Sequence, residues 1–399
     1  MKKVLFVNGS FNEIPLIKAA HDLGYYVITS GNDSSGEGHK YSDKYVPCDY
    51  SNKELIYDLA KREMVEAICS CGNDFGALSA AYASEKLGFK GHDKYNICRF
   101  FHEKDRFKCL CDQLNLPTPK SFAFTDRALA INHLKTVKYP QIVKPSDLGG
   151  GKGMTVVENE YDGIAAIEKA FNASKIKVVL IEDYVSGEQF GFTCFIKDKK
   201  VVFNYLSRDF SDVNPFMVWT AVSLFQDEYV DLRKRIIADV EKIAQYTNMY
   251  DGMLTIQLMV SKENIYYLET MRRCLGNMHY LCLSKDFGID IYKLFVANEL
   301  GLDTSSFFKT SLCQKTTSAF MGIYSNRNGK YCRYEIDPIF DESVFYEYSI
   351  LSNGDLIENC NSEKIANIFL VFNSKNKRNY FINNRKNVYK VFMDGKVNS

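Results

Sequence analysis

Two lysines and a run of glycines are the residues here whose types and spacing could do chemistry. Lys144 precedes Gly149-Gly150-Gly151-Lys152-Gly153, in which glycine fills four of five positions. Such a loop lets successive backbone N–H groups turn toward one point with no Cβ in the way, and lysines add positive charge. Both features suit phosphate oxygens. The apolar pair Ile142–Val143 reads as a short strand that delivers Lys144, and Pro145 ends its regular pairing. The loop is not a Walker A motif, because no Gly-Lys-Ser/Thr opens a helix, and no G-x-G-x-x-G follows the strand. Farther along, Met253–Val260 and Ile265–Glu269 read as a hairpin joined by Ser261-Lys262-Glu263-Asn264. Side chains alternate along a strand, so Glu269 falls opposite Gln257 or one residue from it. An amide oxygen and a carboxylate would then converge on one cation.

The elements around these residues alternate at first. Val4–Val7, Tyr25–Thr29 and Ala67–Ser70 read as buried strands, and Ile14–Leu23, Lys53–Arg62 and Gly76–Leu87 as helices. That order implies a parallel sheet covered on both faces. A dinucleotide site is not expected there, since Asn8-Gly9-Ser10-Phe11 has one glycine where the fingerprint needs three. Phe100–Gln113 reads as one helix, stopped by Leu114-Asn115-Leu116-Pro117-Thr118-Pro119. A small α+β lobe follows to about Ser186, with strand Met154–Glu158, helix Tyr161–Phe171 and strand Lys177–Ile181. Next come a hairpin, Phe190–Ile196 with Val201–Leu206, and an amphipathic helix, Asp227–Tyr246. After about residue 300, short β-like runs (Thr317–Tyr324, Val344–Ile350, Ile368–Phe372, Val388–Met393) are separated by polar turns.

Composition narrows the function classes. Lys and Arg total 50 against 49 for Asp and Glu, so neither a nucleic acid nor a membrane surface is expected as the main partner. The basic patch Lys375, Lys377, Arg378, Arg385 and Lys386 reads as a solvated edge. Twelve cysteines lack zinc-site spacing, Cys69-x-Cys71 and Cys109-x-Cys111 being one residue too tight, and free thiols of a reducing compartment fit best. Lys2 to Asn8 reads as a first strand rather than a signal peptide, and no run is long enough to span a membrane. A cytoplasmic location is the expectation.

Taken in order up to about residue 300, these segments resemble the ATP-grasp superfamily, in the branch of carbamoyl-phosphate synthase, biotin carboxylase and the purine-pathway ligases. The resemblance implies an α/β plus α+β architecture. A Rossmann-like pre-ATP-grasp domain would span residues 1–100, and an ATP-grasp domain 101–300, within which 120–185 is a mobile nucleotide lobe. A β-rich C-terminal lobe would occupy 301–399. Lys104, in Glu103-Lys104-Asp105, matches a phosphate-contacting residue, and Lys144 the lysine on the α-phosphate side, with a share in catalysis. Gly149, Gly150, Gly151 and Lys152 match the phosphate loop. Glu182-Asp183-Tyr184-Val185 resembles the hinge that reads adenine through its backbone, and Glu188 the residue that holds the ribose hydroxyls.

Gln257 and Glu269 match the two metal-ligand positions, Glu269 being catalytic as well. The family then reads Glu-x-Asn-Pro-Arg, whereas this chain has Glu269-Thr270-Met271-Arg272-Arg273. Met271 thus replaces a ligand of the second magnesium, and a thioether is a poor ligand for a hard cation. Arg273 would face the charge on the transferring phosphoryl group. Arg272, Asn277 and His279 are candidate substrate contacts, the alternatives being an Arg272 in solvent and a His279 packed in the core. The implied activity is an ATP-dependent carboxylate–amine ligase that forms an acyl phosphate and releases ADP and phosphate. The implied cofactors are ATP and Mg2+, with Mn2+ as the alternative cation. The partners are a small carboxylic acid and an amine, with room for a homodimer. A bicarbonate-using carboxylase of the same fold and a non-catalytic nucleotide-binding protein are the alternatives.

Overall fold

The computed structural model describes residues 1–262, 264–308 and 312–394; Glu263 of the expected hairpin turn lies outside them. The chain forms two compact units. The first comprises Met1–Asn204, Asp231–Met278 and Tyr292–Thr310, and the second Tyr205–Val230, His279–Ile291 and Ser311–Ser399. The boundary expected at residue 300 followed chain order. Two segments placed on its near side, residues 205–230 and 279–291, belong to the second unit instead.

The first unit opens with β1 (Lys2–Phe6), α1 (Ile14–Asp22), β2 (Tyr25–Gly31), β3 (Lys44–Pro47), α2 (Lys53–Glu63), β4 (Ala67–Cys69) and α3 (Asp74–Leu87). The strands make a parallel sheet in the order β3-β2-β1-β4, as the alternation implies, with β3 unanticipated. Val4, Leu5 and Phe6 are fully buried in its centre. At the end of β1 the carboxylate of Glu13 accepts from Ser10 N at 2.8 Å, Ser10 Oγ at 2.6 Å, Asn8 Nδ2 at 3.1 Å and Gly72 N at 3.0 Å. A side chain therefore takes the donors that a dinucleotide phosphate needs at this point of the fold, in accord with the missing glycines.

The single helix expected over 100–113 is two helices, α4 (Tyr95–His102) and α5 (Lys104–Gln113), divided at an extended Glu103 (φ −112°, ψ 116°). Periodicity does not reveal the break because both halves keep helical spacing. What stabilises it is tertiary. Ser146 accepts from Lys104 N through its carbonyl (3.1 Å) and from Asp105 N through its hydroxyl (3.1 Å), satisfying donors that the start of a helix leaves open. Glu103 takes Arg99 and Arg106 on its carboxylate.

The lobe that follows holds β5 (Ser121–Phe124), α6 (Arg127–Leu134), β6 (Gln141–Pro145), β7 (Thr155–Val157), α7 (Glu160–Ala173) and β8 (Val179–Asp183). Its antiparallel sheet runs β5-β8-β6-β7, and Val143, Val157, Ile167, Phe171 and Ile181 form its core. The chain continues through β9 (Glu188–Lys197), β10 (Lys200–Phe210), β11 (Thr220–Ser223), α8 (Val230–Thr247), β12 (Gly252–Ser261) and β13 (Asn264–Met271). Strands β13, β12 and β9 lie side by side, with β10 next to β9.

In the second unit α9 (Tyr280–Phe287) packs on β14 (Thr317–Ile323), while α10 (Ile291–Glu299) returns the chain to the first unit. The other elements of this unit are β15 (Gly329–Ile336), β16 (Val344–Ser349), β17 (Leu356–Ile357), β18 (Ala366–Phe372), α11 (Lys375–Asn384) and β19 (Tyr389–Met393). Its main sheet runs β11-β14-β18-β16, beside the end of β10, and a smaller one runs β17-β15-β19. One face of the main sheet buries Ala319, Met321, Ile368 and Leu370 with Phe381 of α11. Asp286 of α9 meets Ser223 and Ser318 on the other face. The expected solvated basic edge holds for Lys375, Lys377 and Lys386, which are exposed, and is corrected for the two arginines: Arg378 is buried in a fork with Glu228, and Arg385 is half-buried against Asp212. No helix among the described residues is long and apolar enough to cross a membrane.

Candidate functional site

Strand β6 brings Lys144 into the lobe core, and its ammonium donates to Glu182 Oε1 of β8 at 2.9 Å. The other oxygen of that carboxylate lies 3.0 Å from Lys108 Nζ of α5. Lys108 also donates to Thr118 Oγ1 (2.6 Å) and to the Tyr267 carbonyl of β13 (3.2 Å). One buried carboxylate thus stands between two ammonium groups. Burial opposes its charge, yet Lys108 and Lys144 outweigh that and hold Glu182 below the usual carboxylate range. Burial pulls Lys108 downward despite Glu182, with the charge of Lys144 adding to the shift. The expected backbone role of Glu182 leaves its side chain free for this work. Lys108 escaped the sequence reading, though it lies one helical turn from Lys104 on the same face.

After Ser146 the glycine loop crosses the start of α5. Lys104 Nζ donates to the Leu148 carbonyl at 2.8 Å and lies 2.8 Å from Glu269 Oε2. Gly150 and Gly151 sit at φ +66° and +71°, the left-handed region that side-chain-bearing residues avoid. Gly153 is pressed so closely that a Cβ would lie 2.8 Å from Pro145 Cγ. Lys152 is exposed.

Strands β12 and β13 pair Gln257 with Glu269, and a bulge follows at Gln257/Leu258. Of the two registers left open by the turn, the directly opposed one is present. Burial works against the Glu269 carboxylate, but Lys104 outweighs it and keeps the group ionised below its usual range. Among the described residues no group of three or more His, Cys, Asp or Glu side chains is arranged to hold a metal. The donor set here is one carboxylate and one amide oxygen on a shared face. Hard oxygen donors in that number fit Mg2+, which keeps several waters and takes phosphate oxygens as further ligands. Met271 is buried on the same strand face as Glu269, two residues on.

Arg273 reaches back to the first sheet. Its Nε lies 2.8 Å from Asp74 Oδ1 and its Nη2 3.2 Å from Oδ2, a bidentate fork at the start of α3. His102 Nδ1 meets Asp74 Oδ1 at 2.8 Å, while its Nε2 accepts from Arg272 N at 3.4 Å. That arrangement fits a neutral ring protonated at Nδ1. Burial would raise the Asp74 carboxyl, yet Arg273 and His102 hold it well below the carboxylate range. Neither Asp74 nor His102 was anticipated. Asp74 follows the N-cap Asn73 and so reads as an ordinary acidic first-turn residue.

The other sequence candidates divide. Arg272 is turned inward, to Asp93 Oδ2 (2.8 Å) and the carbonyls of Met253 (2.9 Å), Tyr250 (2.9 Å) and Asp251 (3.3 Å). These bonds brace the fold and take Arg272 out of the solvent that was the alternative for it. Asp183 accepts from Gln141 Nε2 at 2.8 Å, and its own N–H donates to Lys120 O at 2.9 Å. Tyr184 and Glu188 are exposed and Val185 half-buried, with Glu188 opening β9. Asn277 is left-handed at φ +59° and precedes the end of the first unit; His279 belongs to the second. Burial lowers the His279 imidazole to about 4.

With this geometry in view, residues 102–275 match the family model of the phosphoribosylglycinamide synthetase ATP-grasp (A) domain. Solved structures share the fold over nearly the whole chain. A phosphoribosylglycinamide synthetase from Anaerococcus prevotii is 18% identical with a TM-score of 0.76, over 98% of this chain and 100% of that one. An L-amino acid ligase from Bacillus licheniformis is 15% identical with a TM-score of 0.82, over 99% of both. The biotin carboxylase domain of the Hydrogenobacter thermophilus 2-oxoglutarate carboxylase, solved with MgADP, ADP and bicarbonate, is 20% identical with a TM-score of 0.76, over 98% of this chain and 90% of that one. Identities this low speak for the fold alone. The domain match over residues 102–275 and the fold shared over nearly the whole chain agree: the chain has the ATP-grasp fold.

Proposed function

We propose that the first unit binds Mg·ATP and that the protein is an ATP-dependent carboxylate–amine ligase. The observation that carries this reading is the Lys104–Glu269 pair beneath the glycine loop, with the lysine also bonded to the loop at Leu148. One side chain therefore couples the loop to the carboxylate suited to a cation. ATP supplies the γ-phosphoryl group, and Mg2+ neutralises its charge when bound. The chain's part is positioning and charge, which phosphoryl transfer needs more than covalent help. Lys144 and the loop N–H groups would hold the phosphates. Gln257 and Glu269 would hold the cation. The hinge from Glu182 to Val185, with Glu188, would take the nucleoside. Arg273, oriented by Asp74, would face the charge on the transferring group.

In the proposed reaction a carboxylate oxygen of the acid bonds to the γ-phosphorus while ADP leaves. The amine nitrogen then bonds to the acyl carbon and phosphate departs. A loop closed over the phosphates would exclude water, which would otherwise hydrolyse the acyl phosphate. Met271, in place of a family ligand, favours a second reading as a nucleotide-binding protein without turnover. Screening carboxylic acids and amines for stimulated ADP release separates them. Release that depends on an acid and an amine supports the ligase, and dependence on bicarbonate alone redirects the assignment to a carboxylase. ATP binding without release under every condition selects the second reading.

A further inference from the structure

The proposed chemistry makes no direct use of His102, yet this residue is built into the approach to Arg273. It is the last residue of α4, just before the extended Glu103, and its side chain is 0% exposed. Nδ1 lies 2.8 Å from Asp74 Oδ1, and Nε2 lies 3.4 Å from Arg272 N. These two neighbours dictate where the ring carries its proton. A backbone N–H only donates, so Nε2 is the acceptor; the ionised Asp74 only accepts, so Nδ1 holds the proton. One neutral tautomer satisfies both.

The carboxylate that His102 holds is the one that orients Arg273. Asp74 Oδ1 meets both His102 Nδ1 and Arg273 Nε, while Oδ2 accepts from Arg273 Nη2 at 3.2 Å. A fork fixes an arginine only as well as its carboxylate is fixed, and an aspartate carboxylate turns about two single bonds. The bond from His102 removes that freedom. The phosphate loop borders the same group, since a Cβ on Gly149 would lie 3.2 Å from Asp74 Oδ2. The relay from the Arg272 main chain through His102 and Asp74 to Arg273 therefore ends beside the proposed phosphate site. A histidine serving only the core would be replaceable by any side chain that fills its volume. One serving Asp74 is replaceable only by a donor at the Nδ1 position. We propose that His102 is a positioning residue: anchored on the Arg272 main chain, it sets the angle of the Asp74 carboxylate and through it the direction of the Arg273 guanidinium. That this direction serves phosphoryl transfer rests on the ligase reading; the positioning itself does not.

Two amide substitutions in the full-length protein separate the roles of the ring. In His102→Asn the amide nitrogen falls near the Nδ1 position and donates to Asp74. In His102→Gln the amide falls near the Nε2 position and keeps only the bond to Arg272 N. With the acid and amine that support ADP release, His102→Gln should lower kcat roughly tenfold or more and leave the KM for ATP within about twofold, the split expected when a transition-state contact is misplaced. His102→Asn should recover kcat to within about threefold of the parent. A role confined to packing would instead give the two variants equal kcat. Arg273 supplies a readout that needs no turnover. Its Nε–H, held by Asp74, should give a slowly exchanging NMR signal in the parent and in His102→Asn, and exchange faster in His102→Gln. The His102 tautomer is read from the ring nitrogen signals of the parent, so the test stands even where a variant does not fold. The proposal is overturned by a proton on Nε2 of His102, by equal kcat in the two variants, or by an Arg273 signal that His102→Gln leaves unchanged. Turnover with equal kcat in both variants removes the positioning alone. Absence of turnover with every acid and amine removes the ligase reading, and the tautomer and the Arg273 signal then decide the positioning.

Discussion

The Lys104 ammonium lies 2.8 Å from a carboxylate oxygen of Glu269, although the two residues belong to a helix start and a strand far apart in sequence. Without a cation, the lysine neutralises the acidic member of the proposed metal pair. When magnesium is bound, Glu269 would share its oxygens between the ion and Lys104. Glu269→Gln is expected to raise the magnesium needed for half-maximal activity by roughly tenfold or more, since the one anionic ligand becomes neutral. It should also lower stability by about 2 kcal/mol, because Lys104 loses its partner in a partly exposed setting. Met271→Asn should move the magnesium requirement the other way. Magnesium titrations of ADP release check both, and unchanged requirements in both variants would remove Glu269 and Met271 from the metal site.

Lys144 and Lys108 share the buried carboxylate of Glu182, but the expected consequences of losing each differ. Lys144→Ala should weaken ATP binding about ten- to hundredfold, the range for losing a charged hydrogen bond. Lys108→Met should cost about 3 kcal/mol of stability, since it also removes the bonds to Thr118 and Tyr267 in a buried setting. With one lysine gone, Glu182 draws Lys144 more strongly, so ATP affinity should fall as well. Urea unfolding and calorimetry on the two variants test this division. A Lys108→Met protein as stable as the parent would show that the lysine pair is not the brace described here.

Arg273 is held in a fork by Asp74, which fixes where its guanidinium can point. Arg273→Ala should leave ATP affinity within a few-fold and reduce kcat by roughly a hundredfold, as for groups that act mainly in the transition state. Asp74→Asn keeps the shape but loses the charge. A double-mutant cycle on the pair should return a coupling of about 1–3 kcal/mol in stability. Additive effects would mean that the fork contributes nothing.

Asp286 gives a pH signature to the second unit. It is fully buried and accepts from Ser223 Oγ at 2.6 Å, Ser318 Oγ at 2.9 Å and Thr316 Oγ1 at 3.0 Å. Burial nevertheless dominates those hydroxyls and pushes the carboxyl up to about 7. A carboxyl raised on folding binds more protons in the folded state between its unfolded value, about 4, and its folded one. Its contribution to stability is fully present below about pH 4 and is lost as the pH rises through 7. Asp209 shifts in the same direction. Asp286→Asn is permanently neutral and should flatten the decline in urea midpoint between about pH 4 and about pH 7. An identical slope in parent and variant would show that Asp286 does not titrate in this range.

Much of the site was legible in the residues because its signals are local. Glycines between lysines, a strand ending in Lys144-Pro145, and a hairpin whose turn length limits the register all act over a few positions. These features determined the left-handed glycines of the loop, the strand that carries Lys144 and the opposition of Gln257 to Glu269. The partners of the charges were decided by tertiary closure alone. Arg273 and Asp74 are 199 residues apart, and Lys108 and the Tyr267 carbonyl 159, distances at which no pattern in the chain marks a pairing. The helix break at Glu103 depends on Ser146, more than forty residues on, and the inward turn of Arg272 depends on Asp93. A sequence displays which residues carry charge and how they repeat. Burial makes an unpaired charge costly, and only the folded chain decides which partner stands close enough to remove that cost.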